Sequence, residues 1–195
     1  ASGTPSWKRS LIEFTKIILK KYLERFALIV GTHWNGITYV DCFAGPWNVR
    51  SDDLQDSSFA IALAELRKAR DTHRQQGRNV RLRCFFLERD HEAFAQLAGF
   101  ASAVKDAEVE THSSTLEQSV PAILTFVQKG GPSSFPFVFI DPTGWTGFAL
   151  KTIRPLLQLN PGEVLINFMT GHIRRFLESP DQETRESFRD LFGSD

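Results

Sequence analysis

A chain of 195 residues with 42% hydrophobic and 24% charged side chains is long enough to bury a core and too apolar to be a disordered tail. Its 23 basic and 23 acidic residues cancel, so the total charge gives no indication of a nucleic-acid or anionic-membrane partner, although local clusters remain open on that sum. No apolar run is long enough to span a bilayer and no basic, apolar and small-residue leader opens the chain, so the expectation is a cytoplasmic protein without a membrane segment.

Residues 1–6 are small and polar and are set aside as a disordered or foreign tail, leaving 7–195 as one domain. From Trp7 to about Val30 apolar residues recur at helical spacing, with Leu11, Phe14, Ile18, Tyr22, Phe26 and Ile29 as one stripe and Ile12, Leu19 and Leu23 beside it, a wide face expected to dock on a sheet. Ser10 and Glu13 form a capping-box pattern that starts the helix there. Lys16, Lys20, Lys21 and Arg25 read as its solvated face. Gly36 to Asp41 then reads as a buried strand, because Thr38, Tyr39 and Val40 favour extended backbone. Ala44, Gly45 and Pro46 end it with a turn that leaves room for a ligand near the main chain.

Trp47 to Ser57 is a polar loop ending in an N-cap at Asp56 or Ser57, and a helix follows to about Gln76, where Gly77 stops it. Arg67, Lys68, Arg70 and Arg74 in that helix, with Arg78, Arg81 and Arg83 after it, have a structural explanation in the helix dipole. Val80 to Leu87 is the second strand, with Glu88 at its end, and Asp90 and His91 open the next helix. A short strand around Val109 leads through His112 to a helix from Leu116 to about Gln128, for which Ser114 and Glu117 supply the cap. Phe135 to Ile140 is the most apolar strand and runs into Asp141, Pro142, Thr143, Gly144 and Trp145. Thr146 or Thr152 starts another helix, with Pro155 expected in its first turn. Glu163 to Phe168 is the last strand, and helical spacing resumes through Ile173, Phe176, Leu177, Phe188 and Leu191. Strands alternating with helices predict a mostly parallel, doubly wound, Rossmann-like α/β sheet covered on both faces.

Three carboxylates, Asp41, Glu88 and Asp141, close three strands of that sheet, where ligands of open α/β folds bind. A carboxylate at the end of the second strand accepts from both hydroxyls of a ribose. The first turn has no G-x-x-x-x-G-K and one glycine, so a phosphate ligand fits poorly. Acids suit a ligand with ribose hydroxyls and a positive centre, and S-adenosyl-L-methionine has both. Cys42 and Cys84 fall in buried strands, as small core residues of a reducing compartment, and no metal-ligand spacing is present. His112 is a lone histidine near a strand end, without a visible triad partner.

Asp41-Cys42-Phe43-Ala44-Gly45-Pro46 resembles the D-x-F-A-G-x-G first motif of class I S-adenosylmethionine-dependent methyltransferases. Together with Cys84 to Glu88, Phe139 to Pro142 and Leu165 to Met169, the order is similar to the bacterial three-Cys-motif partner proteins, from Trp7 to the last residue. The resemblance implies a cofactor site of Asp41, Phe43, Ala44 and Gly45 at the methionine end, Glu88 at the ribose, and Ser113 in the segment beside the adenine. It further implies a catalytic pair, Asp141 and Trp145, with Asp141-Pro142 matching the start of a D-P-P-Y-like motif and Trp145 able to stack on a flat acceptor. Trp47 stands where the pattern has a second glycine, and Thr143-Gly144 where it has a proline and an aromatic residue. After Asn167 no pair of strands follows to make the antiparallel hairpin usual in such enzymes, so the sheet is expected to be short or completed elsewhere.

Two functions follow, with a third behind them. The first is a methyltransferase acting on a nucleic-acid base or a protein, and the second a catalytically silent module of the same fold that partners a cysteine-motif protein. The third, a nuclease, needs clustered metal-binding acids, whereas the acids here fall one per strand.

Overall fold

The computed structural model describes residues 6–45, 54–142, 147–168, 189, 191 and 192, and for 6–13 the backbone alone. Trp47, the Thr143 to Trp145 segment, Thr146 and most of the final helical stretch lie outside the described residues. The described elements run α1 (Ser6–Val30), β1 (Gly36–Asp41), α2 (Ser58–Gln75), β2 (Arg81–Glu88), α3 (His91–Ala103), β3 (Glu108–Ser113), α4 (Leu116–Lys129), β4 (Ser134–Ile140), α5 (Leu150–Leu157) and β5 (Glu163–Ile166). The strands form one five-stranded sheet in the order β3-β2-β1-β4-β5, parallel at every pairing. This is the doubly wound, Rossmann-like arrangement that the alternation of elements predicts.

Two-residue alternation along the strands divides the core into two layers. Ile37 and Tyr39 of β1, Leu82, Cys84 and Phe86 of β2, and Phe137 and Phe139 of β4 pack with α1, α2 and α3. Val40, Phe85, Leu87, Val138 and Ile140 face the other way, onto α4, α5 and Leu191. Phe137 anchors the first layer: its ring lies 4.7 Å from Phe26 and 5.7 Å from Tyr22, both on α1, and stacks on Tyr39 at 5.9 Å. Cys84 belongs to the first layer and Cys42 to the second, so the sheet separates the two buried, free thiols. Among the described residues no helix is long and apolar enough to cross a membrane.

Several local expectations are corrected. Helix α1 starts at Ser6, so Ser10 lies within it and the capping box is not its beginning. Its buried face is centred on Leu19, Leu23, Phe26 and Ala27, while Phe14, Ile18 and Ile29 are exposed. The apolar arc of α1 is wider than one face, and the contacts with α2 and β4 choose which part is covered. Lys16 is buried rather than solvated, with Nζ 3.8 Å from Asp56. Helix α4 is capped by Thr115, whose side chain accepts from Gln118 N; Ser114 instead gives its backbone N–H to Glu88 O at 3.2 Å. Helix α5 begins after Ala149 with no side-chain cap, and Pro155 sits in its second turn. Strand β5 stops at Ile166, two residues early, and β3 extends to Ser113.

The arginine cluster also has a different cause from the helix dipole. Arg67 and Arg70 converge on Asp106 from α2, with Nε of Arg67 and NH1 of Arg70 each 2.9 Å from Oδ2. These guanidinium groups hold the Asp106 carboxyl well below the usual carboxylate range. Arg83 is buried in β2, forks onto Glu108 at 2.7 and 2.8 Å, donates to Phe126 O at 2.6 Å and lies 4.1 Å from the Phe126 ring centre.

Candidate functional site at the carboxyl edge of the sheet

The chain reverses its direction of travel across the sheet at β1. From there β2 and β3 step one way, and α4 carries the chain back to β4 on the other side. Such a switch point opens a crevice beyond the carboxyl ends of the two central strands. The sequence alternation assigns Asp41, Glu88 and Asp141 to one side of the sheet, because each continues the row of residues that packs on α1, α2 and α3.

The register sets their heights. Asp41 pairs with Phe86 on β2 and with Phe139 on β4, so Glu88 and Asp141 each stand two residues further along. At the rise of an extended strand, Asp41 is therefore recessed by about 7 Å between two taller neighbours.

Asp41 has no exposed surface. Its Oδ1 accepts from Phe43 N at 3.1 Å, and its Oδ2 accepts from Ser58 Oγ at 2.9 Å and, at the long limit, from Tyr39 OH at 3.5 Å. The side chain thus ties the turn after β1 to the start of α2. Burial pushes its carboxyl up to about 7; the Phe43 N–H and Ser58 hydroxyl work against that rise, and the Asp141 charge adds to it. The turn itself extends both ladders, with Cys42 N donating to Phe139 O at 3.0 Å and Ala44 N to Leu87 O at 2.8 Å. Ala44 and Gly45 are buried and Phe43 is half-buried.

Glu88 is 4% exposed, yet its only protein donor among the described residues is Asp90 N, 2.7 Å from Oε1. None of the described residues donates to Oε2. Ser113, exposed at the end of β3, is the register partner of Glu88, so the two sequence candidates meet at one corner of the rim. His112 beside them turns Nε2 to Glu110 Oε1 at 2.8 Å and rests its ring on Phe85 at 4.6 Å, outside the crevice row.

Asp141 stands on the opposite side of Asp41, half-buried, with Oδ1 accepting from Asn167 Nδ2 at 2.7 Å. The same Nδ2 lies 2.9 Å from Thr15 Oγ1 on α1, and Asn167 N donates to Ile140 O at 2.9 Å. Burial pushes the Asp141 carboxyl up to about 6, against the Asn167 hydrogen bond that pulls it down. Sequence reasoning missed Asn167, Thr15 and Ser58 as members of this site. Their signal is tertiary: each is an ordinary polar residue until the fold sets it beside a carboxylate.

Among the described residues the rim therefore presents one recessed carboxylate spent on its own turn, a carboxylate with one oxygen engaged beside a serine, and a carboxylate–amide pair. Trp145, the second residue of the expected catalytic pair, lies outside the described residues. Among the described residues no group of three or more histidine, cysteine, aspartate or glutamate side chains is placed to hold a metal ion. Comparison with protein-family models, with curated proteins and with solved structures gives no match, so the chemistry of the rim is the ground for any functional reading.

Proposed function

We propose that this protein is an S-adenosylmethionine-dependent methyltransferase acting on a nucleic-acid base or protein acceptor, a reading in keeping with the resemblance of its strand-end motifs to the three-Cys-motif partner proteins. The observation that carries it is Glu88: nearly buried, at the end of the second strand, with no donor to its second oxygen among the described residues and Ser113 alongside. A carboxylate in that position accepts two ribose hydroxyls at once. The residues fit the cofactor chemically, since Ala44 and Gly45 keep the turn after β1 small and the acids favour a cation over a phosphate. Asp41 acts from behind, shaping that turn through Phe43 N and Ser58.

When bound, the cofactor supplies a methyl group on a sulfonium centre. The remaining task is alignment of an acceptor, which falls to the Asp141 side of the rim. Asp141 accepts a hydrogen bond or a proton from the incoming nucleophile, and its burial suits it to that exchange near neutral pH. Titration calorimetry with S-adenosylmethionine and with its demethylated product tests the reading. Binding of both, weakened in Glu88→Ala, is expected; absence of heat with either at millimolar concentration overturns it.

A second reading keeps the fold and drops the chemistry: a module that partners a cysteine-motif protein. What favours it is the outer side of α1, where Phe14, Ile17, Ile18, Leu28 and Ile29 are exposed. An open groove of about 730 Å³ lined by Tyr22, Phe26 and Ile29 of α1 and Glu163 of β5 runs beside them. Exposed apolar residues gathered in this way mark interaction surfaces. Co-purification of a partner, without transfer of labelled methyl to nucleic acid or protein, is the outcome that selects this reading.

A further inference from the structure

The Asp141 carboxylate is held by a chain of two side chains from distant parts of the sequence. Asn167 Nδ2 donates to Asp141 Oδ1 at 2.7 Å and lies 2.9 Å from Thr15 Oγ1. An ionised carboxylate only accepts, so the Asn167 amide must present its NH2 to Asp141 and not its carbonyl. The amide has two hydrogens, and these two contacts use both. Backbone bonding adds a second restraint, because Asn167 N is tied to Ile140 O at 2.9 Å, immediately before Asp141.

We propose that Asn167, itself oriented by Thr15 of α1, is a positioning residue that fixes the Asp141 carboxylate through Oδ1 and so sets its orientation toward the acceptor. The proposal rests on the reading of Asp141 as the group that meets the acceptor, and it assigns to α1 and β5 a part in the site. Asp141 is otherwise in an environment that disfavours its charge. It is half-buried, and among the described residues the Asp41 carboxyl at the end of β1 is a like charge that interacts with it. From α1 and β5 the facing groups, Thr15 and Asn167, are neutral. Loss of the amide therefore removes a donor that stabilises the ionised form, the one that the described residues supply to this carboxyl, and the carboxyl titrates higher.

The test follows the Asp141 side-chain carboxyl by carbon NMR in protein labelled at aspartate, with the resonance assigned by its disappearance in Asp141→Asn. In the unmodified protein the midpoint is expected near 6. Asn167→Leu, similar in size and without a donor, moves it upward by about one pH unit or more, as loss of a charge-assisted hydrogen bond requires. Thr15→Val moves it the same way by less, because the amide stays but is no longer oriented. A midpoint unchanged in a folded Asn167→Leu protein overturns the proposal. If Asn167→Leu does not fold, an unchanged midpoint in Thr15→Val does so. Cofactor calorimetry on the same samples separates this from the broader reading: a shifted midpoint without cofactor binding retires the methyltransferase assignment and leaves the positioning role, whereas binding with an unshifted midpoint does the reverse.

Discussion

Replacing Asp41 by asparagine separates the charge of this residue from its hydrogen bonds. The asparagine carbonyl accepts from Phe43 N as Oδ1 does now, and its NH2 donates to Ser58 Oγ, which rotates to accept. What disappears is a buried charge. Burial holds the carboxyl up at about 7, against an ordinary value of 3.8. With ~1.36 kcal/mol per pH unit, the ionised group costs the folded protein about 4 kcal/mol. The sign follows from proton counting. Below about pH 4 both folded and unfolded chains hold the proton; between about 4 and 7 the folded chain keeps it while the unfolded chain has lost it, so stability falls as pH rises and then levels off. The asparagine variant lacks this decline. Asp141, pushed up to about 6 by its own burial, adds a fall of the same sign in both proteins and largely cancels in the comparison. Denaturant unfolding near pH 4.5 and near pH 8.5 measures the difference. The variant is expected to gain about 3–4 kcal/mol on the original between those two conditions. Parallel pH curves for the two proteins refute the account of Asp41 as a buried, costly carboxylate.

Glu88→Ala is expected to weaken S-adenosylhomocysteine binding by about 10- to 100-fold, the worth of charge-assisted hydrogen bonds to two hydroxyls, with little change in melting temperature; calorimetry checks this. Arg83→Met removes three charge-assisted donations and leaves Glu108 at the surface, so a loss of about 2–3 kcal/mol in denaturant unfolding is expected, with ligand binding intact. Phe137→Ala opens a cavity among Tyr22, Phe26 and Tyr39 and is expected to cost about 3–5 kcal/mol by the same measurement. Burial pushes the Cys84 thiol up to about 12 and that of Cys42 up as well, so neither reacts with a thiol reagent at pH 8 until the protein unfolds.

The architecture and the three acids were legible because strand ends can be read from alternation. The rows that end in Asp41, Glu88 and Asp141 are the rows of Tyr39, Phe86 and Phe139, and one layer of the core follows from them. What sequence could not supply was height and company. Asp41 reads like Glu88 until the register shows it two residues lower, where its own turn and Ser58 consume it. Thr115 and Ser114 are equally good caps by composition; the bond from Ser114 N to Glu88 O decides between them. Helix α1 offered two apolar flanks, and periodicity had no means of choosing the one that meets α2. Asn167 lay within the Leu165 to Met169 stretch, but nothing local gave its role, since that depends on Thr15, 152 positions away.

That separation also orders the events of biosynthesis. Of the described elements helix α1 leaves the ribosome first, but Asn167, which bonds its Thr15, emerges only after every described strand has been made. Closing so long a stretch of chain is slow compared with forming a helix. Among the described strands the Asp141 side of the rim is thus the last to be completed, and a nascent chain released before Asn167 carries Asp141 without the amide that holds it.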